Sequence, residues 1–192
     1  MGKSKFNPIF EFDYQVNGQD RLVRVTSVLG HIMNLRYPDS CKSWHNTPME
    51  SLYDVGVIQE PVETSKMVVK NLEEYCRDID DLVIWTDCDR EGEAIGYDII
   101  DVCRKRKPRI GIHRAQFSAL TKQDIERAAN NLVPPNKNLA DAVHVRQEVD
   151  LRIGASFTRF QTLLLQNMIQ KQGPISYGPC QFPTLGFVVE RH

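Results

Sequence analysis

Four carboxylates within seven residues form the part of this sequence whose chemistry is easiest to interpret. Asp87, Asp89, Glu91 and Glu93 directly follow the apolar run Leu82-Val83-Ile84-Trp85-Thr86. Gathering like charges is costly unless they bind cations, and grouped oxygen ligands suit Mg²⁺ better than a softer metal. The spacing therefore predicts a divalent-cation site.

A strand must position these side chains. A short continuous apolar run is typical of a strand buried on both faces of a parallel sheet, and such sheets bind ligands beyond the carboxyl ends of their strands. We expect residues 82–86 to be that strand. Asp87 and Asp89, two apart in extended chain, should then point to the same side.

Three other interpretations compete with a magnesium site. An acidic turn can simply cap the next helix, because carboxylates favour helix N-termini. The spacing also imitates an EF-hand, but that motif needs a preceding helix, and Asp98 stands where its bidentate Glu belongs. A phosphatase-type nucleophile at Asp87 would leave Glu91 and Glu93 without a role.

The acidic segment resembles the acidic motif of the TOPRIM domain, in the form found in type IA DNA topoisomerases. It reads Asp87-Cys88-Asp89-Arg90-Glu91-Gly92-Glu93. Further segments resemble that family in the same order along the chain. They are Thr26 to Ile32, His113 to Ser118, Val145 to Ala155, Thr158 to Thr162 and Ser176 to Leu185. The resemblance covers nearly the whole chain and is strongest to the eukaryotic-type topoisomerase III branch.

The resemblance implies an α/β fold: a TOPRIM-like parallel sheet flanked by helices, then a mainly helical segment of the type IA core. It also implies a reaction in which a Tyr attacks single-stranded DNA, forms a 5′-phosphotyrosyl link and later reseals the strand. Residue roles follow by the same resemblance. Mg²⁺ would be held by Asp87, Asp89 and Glu91; Glu91 and Arg159 would be catalytic; and DNA would be bound by His31, Arg146, Asp150, Ser176, Gly178 and Gln181.

Two family features are missing from their expected places. The family's N-terminal strand carries a Glu and a Lys, whereas this chain starts Met1-Gly2-Lys3, and no Tyr has the setting of the family nucleophile. We therefore expect a fragment that is inactive alone. The alternatives are a non-catalytic module that binds Mg²⁺ and single-stranded nucleic acid, or a TOPRIM nuclease or primase-like protein.

Charge and composition agree with a nucleic-acid protein inside the cell. Residues 1–100 hold ten Lys and Arg against eighteen Asp and Glu, whereas residues 101–192 hold fourteen against seven. Metal ions would bind the acidic half and phosphates the basic half. The odd number of cysteines without a C-x-x-C pair predicts a reducing compartment, taken as the nucleus, and no apolar stretch predicts a membrane span. A RecQ-family helicase and its accessory proteins are partners by resemblance only.

Local patterns predict the other elements. Strands at 9–14 and 22–26 flank the turn signal Asn17-Gly18, helical spacing covers 64–77 and 93–107, and a strand lies at 110–112. A capping-box-like pair opens a helix at Thr121, and a near-continuous helix covers 138–169, with Phe157 and Phe160 in the core and Arg152 and Arg159 aligned along the rod. Residues 176–181 are expected to be a loop. The predicted division is a TOPRIM-like domain without its first strand at 1–120, a connecting helix and Pro-rich boundary at 121–136, and the start of the catalytic core at 137–192.

Overall fold

The computed structural model describes residues 6–16, 18–169 and 173–192. Its chain groups into two compact units, each built from separate stretches of sequence. Unit 1 is Met1–Asn34 with Pro61–His144, and unit 2 is Leu35–Glu60 with Val145–His192. The division at 1–120, 121–136 and 137–192 stays a prediction.

The described residues contain six strands and six α-helices, besides three short 3-10 helices. The strands are β1 Phe10–Val16, β2 Gln19–Val25, β3 Met33–Arg36, β4 Ile58–Pro61, β5 Asp81–Ile84 and β6 Gly111–Arg114. The helices are α1 Ser51–Asp54, α2 Lys66–Tyr75, α3 Arg90–Arg106, α4 Lys122–Asn130, α5 Lys137–Leu165 and α6 Gln181–Arg191.

The strands pair two by two. β1 and β2 form an antiparallel hairpin in which Val16 faces Gln19, as the turn signal predicts. Gly18 has φ +76°, which suits glycine, while Asn17 lies outside the described residues. β3 pairs with β4, and β5 pairs in parallel with β6. The parallel pair with its helices confirms the α/β class.

The core of unit 1 explains why β5 lies where it does. Ile84 at the end of β5 is 2% exposed and packs with apolar residues of α2 and α3, among them Leu72, Ile100 and Val102. A second cluster joins α3 to the first turns of α5 through Ala94, Ala140 and Val143. These two contacts hold the start of α3 close to the end of β5.

Several boundaries differ from the prediction. β5 ends at Ile84, two residues earlier than expected, and α3 begins at Arg90, three residues earlier than expected. No prediction covers helix α6: the expected loop spans residues 176–181, and Gln181, its last residue, is the first residue of the helix. Pro183 is compatible with the helix since it lies in the first turn. Among the described residues, no helix is both long and apolar enough to cross a bilayer.

Candidate functional sites

The acidic segment of unit 1 is a loop followed by a helix start, not a continuation of β5. Asp89 is the N-cap of α3, and its Oδ1 accepts a hydrogen bond from Gly92 N at 2.7 Å. One carboxylate of the segment therefore satisfies an otherwise unpaired helix N–H. The helix-capping interpretation is correct for Asp89. Strand β5 ends at Ile84, before the acidic residues, and the expectation that Asp87 and Asp89 point to the same side stays a prediction.

Arg114 of β6 holds the loop that carries Asp87. Its side chain is completely buried and donates to the backbone carbonyls of Thr86 at 2.8 Å and Asp87 at 2.6 Å. It also donates to the carbonyls of Ile84 and Ala115. Four backbone carbonyls are thus bound by one guanidinium, and the backbone of the acidic loop is fixed.

Glu93 neutralises this buried cation. Its Oε1 accepts from Arg114 Nε at 2.9 Å, and its Oε2 accepts from Asn136 N at 3.0 Å. Only 7% of its side chain is exposed. Buried charges are tolerated when they are paired and hydrogen-bonded, and both conditions hold here. Glu93 is therefore a structural ion-pair partner.

The loop and the helix start approach each other closely at Gly92. A Cβ on Gly92 would lie 1.9 Å from the backbone oxygen of Asp87, a distance that no real Cβ contact allows. Thr86 Oγ1 adds a hydrogen bond to Gly92 O at 2.7 Å. The glycine of the acidic motif is thus required by packing, and it keeps Asp87 against the first turn of α3.

His31 bridges two carboxylates of α3. Its Nε2 lies 3.1 Å from Glu91 Oε2, and its Nδ1 lies 3.3 Å from Asp98 Oδ2. These hydrogen bonds, that to Asp98 first, raise the pKa of His31 above its ordinary value despite the opposing effect of partial burial. The predicted contact of His31 with DNA stays a prediction, since in this structure both ring nitrogens face carboxylates.

The donor chemistry of the segment suits a hard cation, but no complete cage is formed. Within the described ranges, no group of three or more His, Cys, Asp or Glu side chains is arranged to hold a metal ion. Magnesium usually keeps several waters and binds through one or two carboxylates, and the oxygen donors of Asp87 and Asp89 are of the chemical type that fits this cation. Glu91 is 48% exposed and turned toward His31.

In unit 2 the arginines of α5 differ in exposure. Arg146 is 55% exposed, and its Nη1 lies 3.8 Å from Asp150, four residues later, as their spacing predicts. Arg152 is bound to Glu148 and to the carbonyls of Leu52 and Val55. Arg152 and Arg159 lie seven residues apart on the continuous helix α5, as their spacing predicts, but both side chains are bound by backbone carbonyls.

Arg159 is buried in a polar setting. It is 7% exposed, donates from Nη2 to Cys41 O at 2.8 Å, and lies 5.6 Å from the ring centroid of Trp44. Its Nη1 has no hydrogen-bond partner among the described residues. A buried guanidinium nitrogen without an acceptor is costly, so this nitrogen is suited to an anionic or carbonyl ligand.

An open groove of about 390 Å³ adjoins that guanidinium. It is lined by Trp44, Asp150, Leu151, Gly154, Ala155, Thr158, Arg159 and Tyr177. The ring of Tyr177 packs between Phe157 and Phe182, with centroids 4.9 and 5.0 Å away. The expectation that Phe157 and Phe160 lie in the core is wrong: they are 45% and 49% exposed. In proteins that bind single-stranded nucleic acid, bases commonly stack on aromatic side chains that lie near arginines.

Some backbone amides in and next to the segment 176–181 are already bound within the protein. Tyr177 N donates to Thr158 Oγ1 at 2.9 Å, and the neighbouring Ile175 N donates to Thr162 Oγ1 at 2.8 Å. The segment is thereby attached to α5. Gln181 lies close to Gly178, since a Cβ on that glycine would lie 3.1 Å from the Gln181 side chain. The roles of Ser176, Gly178 and Gln181 in DNA binding stay predictions.

Sequence reasoning missed Arg114, Asp98, His144 and Trp44 as parts of these sites. Asp98 had a signal, because it stands seven residues after Glu91 and so falls on the same helix face. The signal for Arg114 was the family resemblance of the segment His113 to Ser118, because an arginine at a strand end otherwise looks exposed until the burial is known.

Comparisons with known proteins identify the family of the chain. The Toprim domain model matches residues 14–120, and a DNA topoisomerase model matches residues 134–192. The whole chain is 50% identical to DNA topoisomerase 3-alpha of Arabidopsis thaliana, and 99% of it is 47% identical to the human protein of that name. All of it is 44% identical to DNA topoisomerase 3 of Caenorhabditis elegans. It spans 21%, 19% and 26% of those three relatives.

Proposed function

The chain belongs to the Toprim domain family, and we propose that it is the metal-binding part and the first DNA-binding part of a type IA DNA topoisomerase of the topoisomerase III type. In the whole protein, a tyrosine outside these 192 residues would cleave one DNA strand through a 5′-phosphotyrosyl link and later reseal it. That reaction needs no ATP, because the link conserves the energy of the broken phosphodiester. The activity of the whole protein is a proposal, since the chain spans about a fifth to a quarter of these relatives.

The observation that carries the proposal is the loop that Arg114 and Gly92 hold at the carboxyl edge of the parallel strands. This loop presents Asp87 and, at the helix start, Asp89 where a parallel sheet binds its ligands. We propose that Asp87 and Asp89 hold Mg²⁺, with Glu91 beside them. When bound, the cation would neutralise phosphate charge and help position the broken ends for resealing. Glu91 would exchange a proton with the 3′ oxygen.

The groove of unit 2 supports a role in binding single-stranded DNA. Arg146 is exposed and can contact a phosphate, while Asp150 can both orient it and accept a hydrogen bond from a base. The unpaired Nη1 of Arg159 can donate to a phosphate, and the aromatic side chains of Trp44 and Tyr177 line the same groove. Arg159 would thus act on DNA held in the groove.

Two further assignments belong to the proposal. We place the protein in the nucleus, which the five free cysteines support because a reducing compartment keeps thiols unpaired. A RecQ-family helicase with its accessory proteins is the proposed partner, supported by the similarity to topoisomerase 3-alpha alone. Co-precipitation of the full-length protein with such a helicase tests this assignment.

Binding of a labelled single-stranded oligonucleotide across a salt series tests the DNA-binding part. We expect affinity to fall steeply with salt, Arg146→Ala and Tyr177→Ala to weaken it several-fold, and no cleavage with Mg²⁺. Arg127→Ala is the matched control, because Arg127 is exposed and paired with Asp124 on α4. Cleavage by this chain would instead indicate a TOPRIM nuclease, and absence of binding would refute the DNA-binding assignment.

Loss of divalent-cation binding tests the metal part. Asp89→Asn is a sharp variant, because Asn caps a helix as well as Asp does while lacking the charge. We expect Asp89→Asn and Asp87→Asn to weaken Mn²⁺ binding with little change in the free energy of unfolding. Unchanged Mn²⁺ affinity in both variants would refute the metal assignment.

A further inference from the structure

His31 links a buried and an exposed carboxylate of the same helix. Glu91 and Asp98 are seven residues apart on α3, so they project from one face, and the imidazole of His31 spans the gap between them. The Asp98 side chain is 3% exposed, whereas that of Glu91 is 48% exposed. One end of the bridge is therefore held by packing, and the other lies at the surface.

The backbone on which His31 is carried is also well defined. Gly30 has φ +67°, a conformation that side-chain-bearing residues rarely adopt, and it turns the chain just before the histidine. Ile32, directly after it, is fully buried, and its carbonyl accepts from Val62 N at 3.0 Å. The histidine is thus anchored through its backbone and through Asp98.

A second histidine faces the same buried carboxylate. His144 Nε2 of α5 lies 3.4 Å from Asp98 Oδ1, without hydrogen-bond geometry, while His31 takes Oδ2. Asp98 therefore has an imidazole beside each oxygen, which offsets the cost of burying its charge. Its orientation is set on both sides.

We propose that Asp98 is a positioning residue for the acidic segment: it orients the His31 ring, which in turn holds the Glu91 carboxylate in one place on the first turn of α3. An exposed Glu on a first helical turn otherwise samples several rotamers, and fixing it in advance removes that entropic cost from ligand binding. Partners behind metal ligands commonly act in this way. The inference rests on the proposed function, because the ligand concerned is the divalent cation.

Mn²⁺ binding to this chain, measured by the electron paramagnetic resonance signal of free Mn²⁺, tests the inference. Asp98→Ala removes the acceptor for His31, and we expect it to weaken Mn²⁺ binding about tenfold. Asp98→Asn keeps an amide oxygen in the same place and is expected to cost clearly less. Equal losses in the two variants would indicate a general effect of charge and would overturn the positioning role.

Asp81→Asn is the matched control. Asp81 also pairs with a histidine, His113, with 3.0 Å between Nε2 and Oδ1, but at the start of β5, away from the acidic loop in sequence. We expect its Mn²⁺ affinity to stay within about twofold of the wild type. A loss as large as that of Asp98→Ala would overturn the inference.

The possible outcomes distinguish a failure of this inference from a failure of the proposed metal-binding function on which it rests. If the wild type binds Mn²⁺ and Asp98→Ala binds equally well, the positioning role is refuted while the metal site stands. If the wild type binds no Mn²⁺, the metal site fails and the inference fails with it. Should circular dichroism show that Asp98→Ala is unfolded, His31→Ala removes the same bridge and leaves Asp98 beside His144. The same tenfold loss is then required.

Discussion

Arg114 and Glu93 form a buried ion pair, 2.9 Å between Nε and Oε1, at the base of the acidic loop. Neither residue needs to touch a ligand to matter. The guanidinium holds the carbonyls of residues 86 and 87, and the carboxylate of Glu93 makes its burial tolerable. The stability of unit 1 and the shape of its candidate metal site therefore depend on the same contact.

Glu93→Gln should be strongly destabilising. The substitution keeps the shape but leaves the Arg114 charge buried without its counter-ion, which typically costs about 3 kcal/mol or more. The free energy of unfolding in urea measures this. Asp141→Asn, which breaks the exposed Lys137–Asp141 pair on α5, is the control and should cost no more than about 0.5 kcal/mol. Similar small losses in both variants would contradict the structural role.

Gly92→Ala should disturb the loop that carries Asp87. The new Cβ would meet the Asp87 carbonyl, so either the loop or the helix start must shift, at a cost of about 1–3 kcal/mol. Mn²⁺ affinity should fall in parallel. Gly186→Ala in α6 is the control, because nothing lies within 4 Å of its added methyl group. The higher helix propensity of alanine should stabilise α6 by up to about 1 kcal/mol. Unaltered Mn²⁺ binding in Gly92→Ala would show that the close approach is unimportant to the site.

The free energy of unfolding should depend on pH through the protonation of His31. Hydrogen bonds to Asp98 and Glu91 raise the pKa of His31 in the folded state above the ordinary value of 6.5. A raised folded pKa contributes stability that is fully present below about pH 6.5 and lost as pH rises through the higher folded pKa. The free energy of unfolding should therefore decline over that window. The decline with pH should be smaller in His31→Gln. If the free energy of unfolding declines equally in the variant and the wild type, other titratable groups cause the decline.

The five cysteines should differ sharply in reactivity. Burial, with the neighbouring Cys76, raises the pKa of Cys103 to about 12, so its thiolate is scarce at neutral pH. Cys88 and Cys180 are exposed. Alkylation at pH 8 followed by mass spectrometry should therefore label these two first and spare Cys103 until urea unfolds the chain. Early labelling of Cys103 would mean that the core of α3 opens readily.

Local sequence patterns determined much of this protein. Alternation and a glycine turn determined the β1–β2 hairpin, an apolar run determined β5, and Thr121 determined the start of α4, where its side chain accepts from Asp124 N. Each of these signals depends on residues near in sequence. The chemistry of the acidic motif likewise follows from its residue types and their spacing alone.

The tertiary structure alone decided how the acidic segment is held. Arg114 lies 21 residues from Glu93 in sequence, and His31 lies 67 residues from Asp98, so no periodicity within one element reveals either contact. Sequence shows which groups carry charge, but burial and partners decide whether a charge is a ligand, a cap or a structural ion. That is why Asp89 proved to be a helix cap and Arg159 a buried cation. The burial of Arg159 follows from packing between segments distant along the chain, whereas the Asp89 cap joins residues only three apart.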